Sequence, residues 1–473
     1  MKFLPLILSH LTLLLLLGCV SRYKVSEDYR SNLSPQQYIS PRSMTVVILV
    51  DGLPLYTLQS LFQKHQLKNI QKFFSKTQNK MYSGRSVFPS VTYANITSLL
   101  TKSPVNHHHI IGNKIVYNDK VVNFENPSSK KTLERITSTQ DIFYKLNERK
   151  MNSVGLAHTF GGNATSHMQT DLKSGLAIVN KNYDYVDDKL IDAFKSLLED
   201  VPESYWPDFV FLHLVGLDLT SHDRGPQSPE AIDYLKSLDH RLEPLFRVLE
   251  RAEGHGKSVI SLLTSDHGFD RGIEKFVSLE KSIYEIDDDV QILNEGRYLA
   301  VNFPASWPQK KRKDFLKEAA QRSSVGMVLY RSADTIHFEN QEFLGTIEYT
   351  NYSCKGTPYA LRTKLQKRDI KYHKVKESRN TYACPEVVDH FVSHYLPPFF
   401  ITNMAAYFWE KAHPDAVILA KDHISFIDQY IGHHGGVSAD EVMIPILLRN
   451  ANFPTLNKHP HIEDLLKGFF SSR

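Results

Sequence analysis

Seven residues along this chain are of types, and in an order, that could hold divalent ions beside a nucleophile: Asp51, Thr92, Asp218, His222, Asp266, His267 and His434. Carboxylate oxygen and imidazole nitrogen together suit borderline cations, and zinc in particular accepts mixed Asp and His ligands. The set is large enough for two ions. Asp218 and His222 are four apart, so both can project from one face of a helical turn. A lone Asp at a strand end is usually a cap or turn residue, and a lone His is usually a satisfied core or surface group, so the weight lies in the ordered set. Thr92 supplies the hydroxyl. Pro89 and Ser90 read as a helix entry, and Ile96, Leu99 and Leu100 recur at helical spacing, which places Thr92 in the first turn of a helix. The positive end of the helix dipole and free backbone N–H groups there favour an alkoxide and an anion held against it. The chemistry implied is attack of a hydroxyl on a metal-held phosphate.

These side chains need elements to carry them. Met44 to Val50 is a continuous apolar, β-branched run without alternation, as expected of a strand buried on both faces of a parallel sheet, and it ends at Asp51-Gly52. Similar runs follow at Ser153 to Ala157, Phe209 to Val215 and Ser258 to Thr264, with helical patterns between them. The clearest helix starts at Ser228-Pro229, carries Ile232, Leu235, Leu238, Leu242, Leu245 and Leu249 on one face, and stops near Gly254. Strand, helix, strand predicts a doubly wound, mostly parallel α/β sheet. Ligand sites in such sheets lie beyond the carboxyl ends of the strands, which is where Asp51 and Asp266-His267 fall, with Asp218 and His222 just past Val215. Another strand, Val417 to Ala420, precedes Gly432-His433-His434-Gly435-Gly436, and Met443 to Leu448 closes the core.

With 473 residues the chain can bury a large core, and a net charge of +4 argues against a nucleic-acid polymer as partner. The apolar run Leu11 to Leu17 has signal-peptide length and ends in Leu16-Leu17-Gly18-Cys19, which resembles a bacterial lipobox. The expectation is a leader over 1–18, a lipid on Cys19, a polar tether over 19–43, and an exported protein on an envelope membrane surface. The remaining cysteines, Cys354 and Cys384, lack CxxC spacing and suit a disulfide in an exported chain.

At this point the ordered set resembles the alkaline phosphatase superfamily, and within it the nucleotide pyrophosphatase/phosphodiesterase family. The matching elements are Asp51, Thr92, Asp218 with His222, Asp266-His267-Gly268, and His434-Gly435. Thr92-Tyr93-Ala94-Asn95 is similar to the family's nucleophile stretch, and Ile110-Ile111-Gly112-Asn113 to its downstream Gly-Asn. The resemblance spans about 44–270 and 400–450. It implies that Asp218, His222 and His434 hold one ion, that Asp51, Thr92, Asp266 and His267 hold the other, and that Asn113 donates to a phosphate oxygen. It further implies in-line attack by Thr92, a phospho-threonine intermediate, and hydrolysis of that intermediate.

The chain departs from the pattern where the family commonly carries Trp-Pro-Gly. Here the region reads His158-Thr159-Phe160-Gly161-Gly162-Asn163-Ala164-Thr165, and the tryptophans are Trp206, Trp307 and Trp409. His434 is chosen over His433 because the family histidine directly precedes glycine, and His107-His108-His109 reads as loop because consecutive side chains diverge. Residues 272–399 read as an inserted cap subdomain, with 44–271 and 400–473 as the catalytic core. A sulfatase is disfavoured, since no cysteine stands in C/S-x-P-x-R. The stretch from Ser86 to Tyr117 has no Arg, so two metals and one neutral amide would suit the monoanion of a diester. The expected substrate is a small phosphodiester or a lipid headgroup; a phosphomonoesterase or a silent metal-binding lipoprotein are the alternatives.

Overall fold

A computed structural model describes residues 24–33, 43–75, 81–118, 120–137, 140–157, 159–168, 171–284, 289–350, 360–368, 375–383, 389, 396–409, 413–451 and 459–467. Cys19, Cys354, Cys384 and His158 lie outside them, and so do the expected leader, lipid anchor and disulfide. Among the described residues, no helix is long and apolar enough to cross a membrane.

The Ser43–Val50 strand forms the middle of a seven-stranded sheet and pairs in parallel with Phe209–Leu214 on one side and Ser258–Thr264 on the other. Ser153–Leu156 and Ser166–Met168 extend the sheet past Phe209–Leu214; Met443–Arg449 and Tyr82–Arg85 extend it past Ser258–Thr264. Met443–Arg449 runs antiparallel to both of its neighbours, Ser258–Thr264 and Tyr82–Arg85. The β-branched run is buried from both sides because successive side chains point to opposite faces. Val46, Ile48 and Val50 pack with the helices Leu55–Gln63, Tyr183–Asp200 and Pro229–Gly254, whereas Val47 and Leu49 pack with Thr92–Thr101 and Ile142–Glu148. That arrangement is the doubly wound α/β sheet expected.

Pro229–Gly254 begins as its residues dictate: the Ser228 hydroxyl oxygen accepts from the Ala231 N–H at 3.1 Å, and Pro229 takes a first-turn position whose N–H would have no helical partner. Leu238, Leu242, Leu245 and Leu249 are fully buried against the sheet. Each such side chain contributes about 1.5–3 kcal/mol of apolar transfer, which outweighs the interior Pro244.

Three expectations need correction. The Ala416–Ala420 strand does not join the first sheet. It is the third strand of a separate eight-stranded antiparallel sheet, between Tyr298–Asn302 and Val325–Ser332. Its five residues are buried, and a short apolar run fits the middle of either sheet equally well, so the pattern alone could not place it. The boundary between insert and core, expected at 400, therefore falls after this strand. Nor is the 19–43 stretch all tether: Val25–Asn32 is a helix that buries Val25 and Tyr29, and the Tyr29 hydroxyl donates to the Tyr205 carbonyl at 2.9 Å. Two apolar residues four apart were enough to dock a polar segment. His107 and His108 belong to a helical turn, Val105–His108, rather than a loop, and buried His108 is bonded to Ser98 Oγ at 2.8 Å.

The second sheet is tied to the first by a buried ion cluster. Arg297, at the turn before Tyr298–Asn302, lies 3.1 Å from Asp270 Oδ2 and 3.1 Å from Glu441 Oε1, with all three side chains buried. Removing the guanidinium would strand two carboxylates away from water. Arg297→Met should destabilise the protein by about 3–5 kcal/mol in denaturant unfolding; a loss below about 1 kcal/mol would show that the cluster is not a structural tie.

Candidate active site

Strand ends and helix starts bring six of the seven candidate ligands to one point. Asp51 follows the central strand, and its N–H donates to the Leu214 carbonyl at 2.9 Å. Gly52 has φ of +65°, and a Cβ there would lie 2.5 Å from Phe269 and 2.8 Å from Asp218 Oδ1, so only glycine lets the acidic residues approach. Asp218 and His222 sit on the Gly216–Arg224 helix. Asp187 holds that helix start, accepting from Val215 N–H at 2.9 Å and Gly216 N–H at 3.3 Å. Asp266 and His267 follow the Ser258–Thr264 strand, while His434 comes from the loop before Met443–Arg449.

Ligand atoms gather in two overlapping groups: Asp218, His222 and His434 in one, Asp51, Asp218 and His267 in the other, with the atoms of each group within 4.8 Å. Asp218 is therefore shared, which the family pattern did not imply. Asp266 lies beside the second group, with Oδ2 3.2 Å from His267 Nε2. His433 turns away, its Nε2 bonded to the Tyr430 carbonyl at 3.1 Å, and the geometry favours His434.

The donor set fits cations. Asp51 Oδ1, Asp218 Oδ1 and Asp266 Oδ2 are buried and accept no hydrogen bond, an arrangement that is unfavourable without positive charge nearby. The imidazoles complement them. His222 Nδ1 bonds the Gly432 carbonyl at 2.8 Å, His267 Nδ1 the Gly268 carbonyl at 3.0 Å, and His434 Nδ1 the Ser90 carbonyl at 2.9 Å. A carbonyl can only accept, so each Nδ1 carries the proton and each Nε2 presents a lone pair to the site. His222 Nε2 and His434 Nε2 face each other at 3.1 Å, and the His267 and His434 rings stack at 3.7 Å. Burial, then the neighbouring Asp266 and Asp218, push the Asp51 carboxyl well above the usual range. Burial, then His267 and His222, hold His434 well below the usual imidazole range. Burial leads both shifts and the crowding of like groups adds to it; a divalent ion would relieve the crowding.

Thr92 opens the Thr92–Thr101 helix, and its Oγ1 lies 3.3 Å from His267 Nε2. Buried Asn95 holds the turn that presents it, accepting from Val87 N–H at 2.7 Å and donating to the Pro89 and Val91 carbonyls at 3.0 Å. Ser90 fastens the same turn to the His434 loop, its hydroxyl donating to the Gly436 carbonyl at 2.9 Å. One expectation changes here: the Tyr93 N–H is not free for an anion but donates to Asn113 Oδ1 at 3.1 Å. That bond orients Asn113, whose Nδ2 donates to Glu125 Oε1 at 3.4 Å. Thr92 and Asn113 face a cleft of about 770 Å³, walled by Tyr93, Phe124 and Phe160. Tyr93 is 5.5 Å from Phe124 and 5.6 Å from Phe160 between ring centroids.

Sequence reasoning missed Asp187, Asn95 and His213, whose Nε2 lies 2.7 Å from Asp51 Oδ2. The available signal for His213 was a polar residue inside an otherwise apolar strand run.

Over 206 residues the chain is 26% identical to rat (Rattus norvegicus) ectonucleotide pyrophosphatase/phosphodiesterase family member 1, covering 43% of this chain and 22% of that protein. Over 207 residues it is 26% identical to a venom phosphodiesterase of Crotalus durissus collilineatus, covering 43% and 24%. The chain thus matches less than a quarter of the length of either relative. Phosphonoacetate hydrolase from Sinorhizobium meliloti 1021 shares the fold, with a TM-score of 0.55 over 90% of this chain and 94% of that one at 13% identity. The family model described as type I phosphodiesterase / nucleotide pyrophosphatase matches residues 45–347, more than half of the chain, so this protein belongs to that family.

Proposed function

We propose that the protein is a metal-dependent phosphodiester hydrolase with Thr92 as nucleophile. The observation that carries the reading is the convergence of three unpartnered carboxylate oxygens and three outward Nε2 lone pairs beside the Thr92 hydroxyl. Asp218, His222 and His434 would hold one ion, and Asp51, His267, Asp266 and Thr92 the other, with Asp218 close to both. Bound there, divalent ions, zinc by the ligand types, supply positive charge that lowers the pKa of a coordinated hydroxyl and neutralises phosphate oxygens.

The chain's own residues do the rest. Thr92 Oγ1 attacks phosphorus and the leaving-group oxygen departs on the opposite side, giving a phospho-threonine; attack of water on the same phosphorus releases a phosphomonoester and restores the hydroxyl. Asn113, aimed by the Tyr93 N–H, offers an Nδ2 hydrogen to a non-bridging oxygen.

Charge around Thr92 favours a diester. Glu125 stands against Asn113 and would repel the second charge of a monoester dianion. Among the described residues, the 272–399 insert lends the cleft Asn294 and Glu295 but no Lys or Arg. The cations that line it are Lys114, bound to the Asn294 carbonyl at 2.8 Å, and Lys130, paired with Glu134 at 3.5 Å. The aromatic wall and the cleft volume leave room for a second substituent. These features support a small phosphodiester or lipid headgroup over a monoester.

Two measurements test this. The kcat/KM for bis-p-nitrophenyl phosphate should exceed that for p-nitrophenyl phosphate by tenfold or more at pH 8 to 9; a monoester advantage of that size would make the protein a phosphomonoesterase. Thr92→Ala should abolish turnover, with a loss of roughly ten-thousandfold or more, while bound metal stays largely intact. Near-normal activity in that variant would rule out the covalent route.

A further inference from the structure

His213 lies at the centre, and the family's ligand pattern leaves it without a role. It lies on Phe209–Leu214, opposite Leu49 in the parallel register, so its side chain arrives next to the end of the central strand. Its side chain and that of Asp51 are each 4% exposed, and the two meet at 2.7 Å between Nε2 and Asp51 Oδ2. The His213 ring is held between Phe160, 6.4 Å away edge-on, and Phe211, 6.2 Å away and stacked. A carboxylate only accepts, so His213 Nε2 is the protonated nitrogen and donates.

This bond divides the work of the Asp51 carboxylate. Oδ2 is taken by His213, whereas Oδ1 accepts no hydrogen bond and faces His267 Nε2 at 3.6 Å. We propose that His213 is a positioning residue that fixes Asp51 as a one-oxygen ligand and so sets the affinity of the ion held by Asp51 and His267 next to Thr92. Without the donor, Oδ2 would be a buried charged oxygen with no partner, close to Asp266 and Asp218. The carboxylate would then turn to relieve that repulsion, and Oδ1 would lose its aim. Ligating carboxylates held by hydrogen bonds from behind are a general feature of metal sites, and removing such a partner weakens binding by roughly 10- to 100-fold.

The proposal rests on the two-ion reading above, and the test separates the two. Zinc affinity is measured by competition with a chromophoric chelator on the metal-free protein, in wild type and in three variants. His213→Phe keeps the ring volume between Phe160 and Phe211 and removes the donor. His213→Asn, whose amide stops short of Asp51, removes it in a small polar side chain should the Phe variant not fold. His213→Gln places an amide N–H near the Nε2 position. Wild type should show two binding steps. The Phe or Asn variant should lose roughly 10- to 100-fold in one step with the other within about threefold, and Gln should return the weakened step to within about threefold of wild type. Equal weakening of both steps, no change in either, or no rescue by Gln would overturn the positioning role. Fewer than two steps in wild type would instead remove the two-ion reading on which it rests.

Discussion

Everything at the centre of this protein depends on one electrostatic constraint: three buried carboxylates and three imidazole lone pairs point at one another. Left alone, such a cluster repels itself, and burial makes the repulsion worse by removing water. Unpaired oxygens on Asp51, Asp218 and Asp266, and the 3.1 Å approach of two histidine nitrogens, are arrangements that bound cations would relieve. Neutral side chains would have packed there with less strain.

The surroundings hold this unfavourable cluster in place. Each imidazole is anchored through Nδ1 to a backbone carbonyl, which leaves little freedom for the ring to turn away. Ser90 joins the turn before Thr92 to the His434 loop, and Glu441 accepts from the Gly436 N–H at 2.8 Å while paired with Arg297. The second sheet, far from being a mere lid, thereby supports a ligand loop of the first. The same economy of contacts explains how Thr92 is held: Asn95 binds three backbone groups of the 87–91 turn, so Thr92 is presented by hydrogen bonds within its own segment.

Much of this was legible in the sequence because chemistry and topology coincide. A strand buried on both faces needs an apolar run, so Asp51 and Asp266-His267 stand out at its end, and Asp218 with His222 declares a helical face by spacing alone. What was not legible depends on distance in space. The sharing of Asp218 between two groups, and the bond from His213 to Asp51, arise from parallel register between strands more than 150 positions apart. Ala416–Ala420 was misplaced because an apolar run does not say which sheet it completes, and Val25–Asn32 because two buried apolar residues in a polar stretch look like a linker. Free N–H groups were expected at the start of the Thr92 helix, yet that of Tyr93 orients Asn113, a choice made by a side chain twenty residues away.

Anomalous X-ray scattering at the zinc absorption edge, from crystals of the active protein as purified or loaded with zinc, bears most directly on the central claim. The account predicts two peaks, one within about 2.0–2.2 Å of ligand atoms of Asp218, His222 and His434 and a second at the same range from Asp51 and His267, beside the Thr92 hydroxyl. Active crystals with no peak at these side chains, or with metal bound elsewhere, would contradict it.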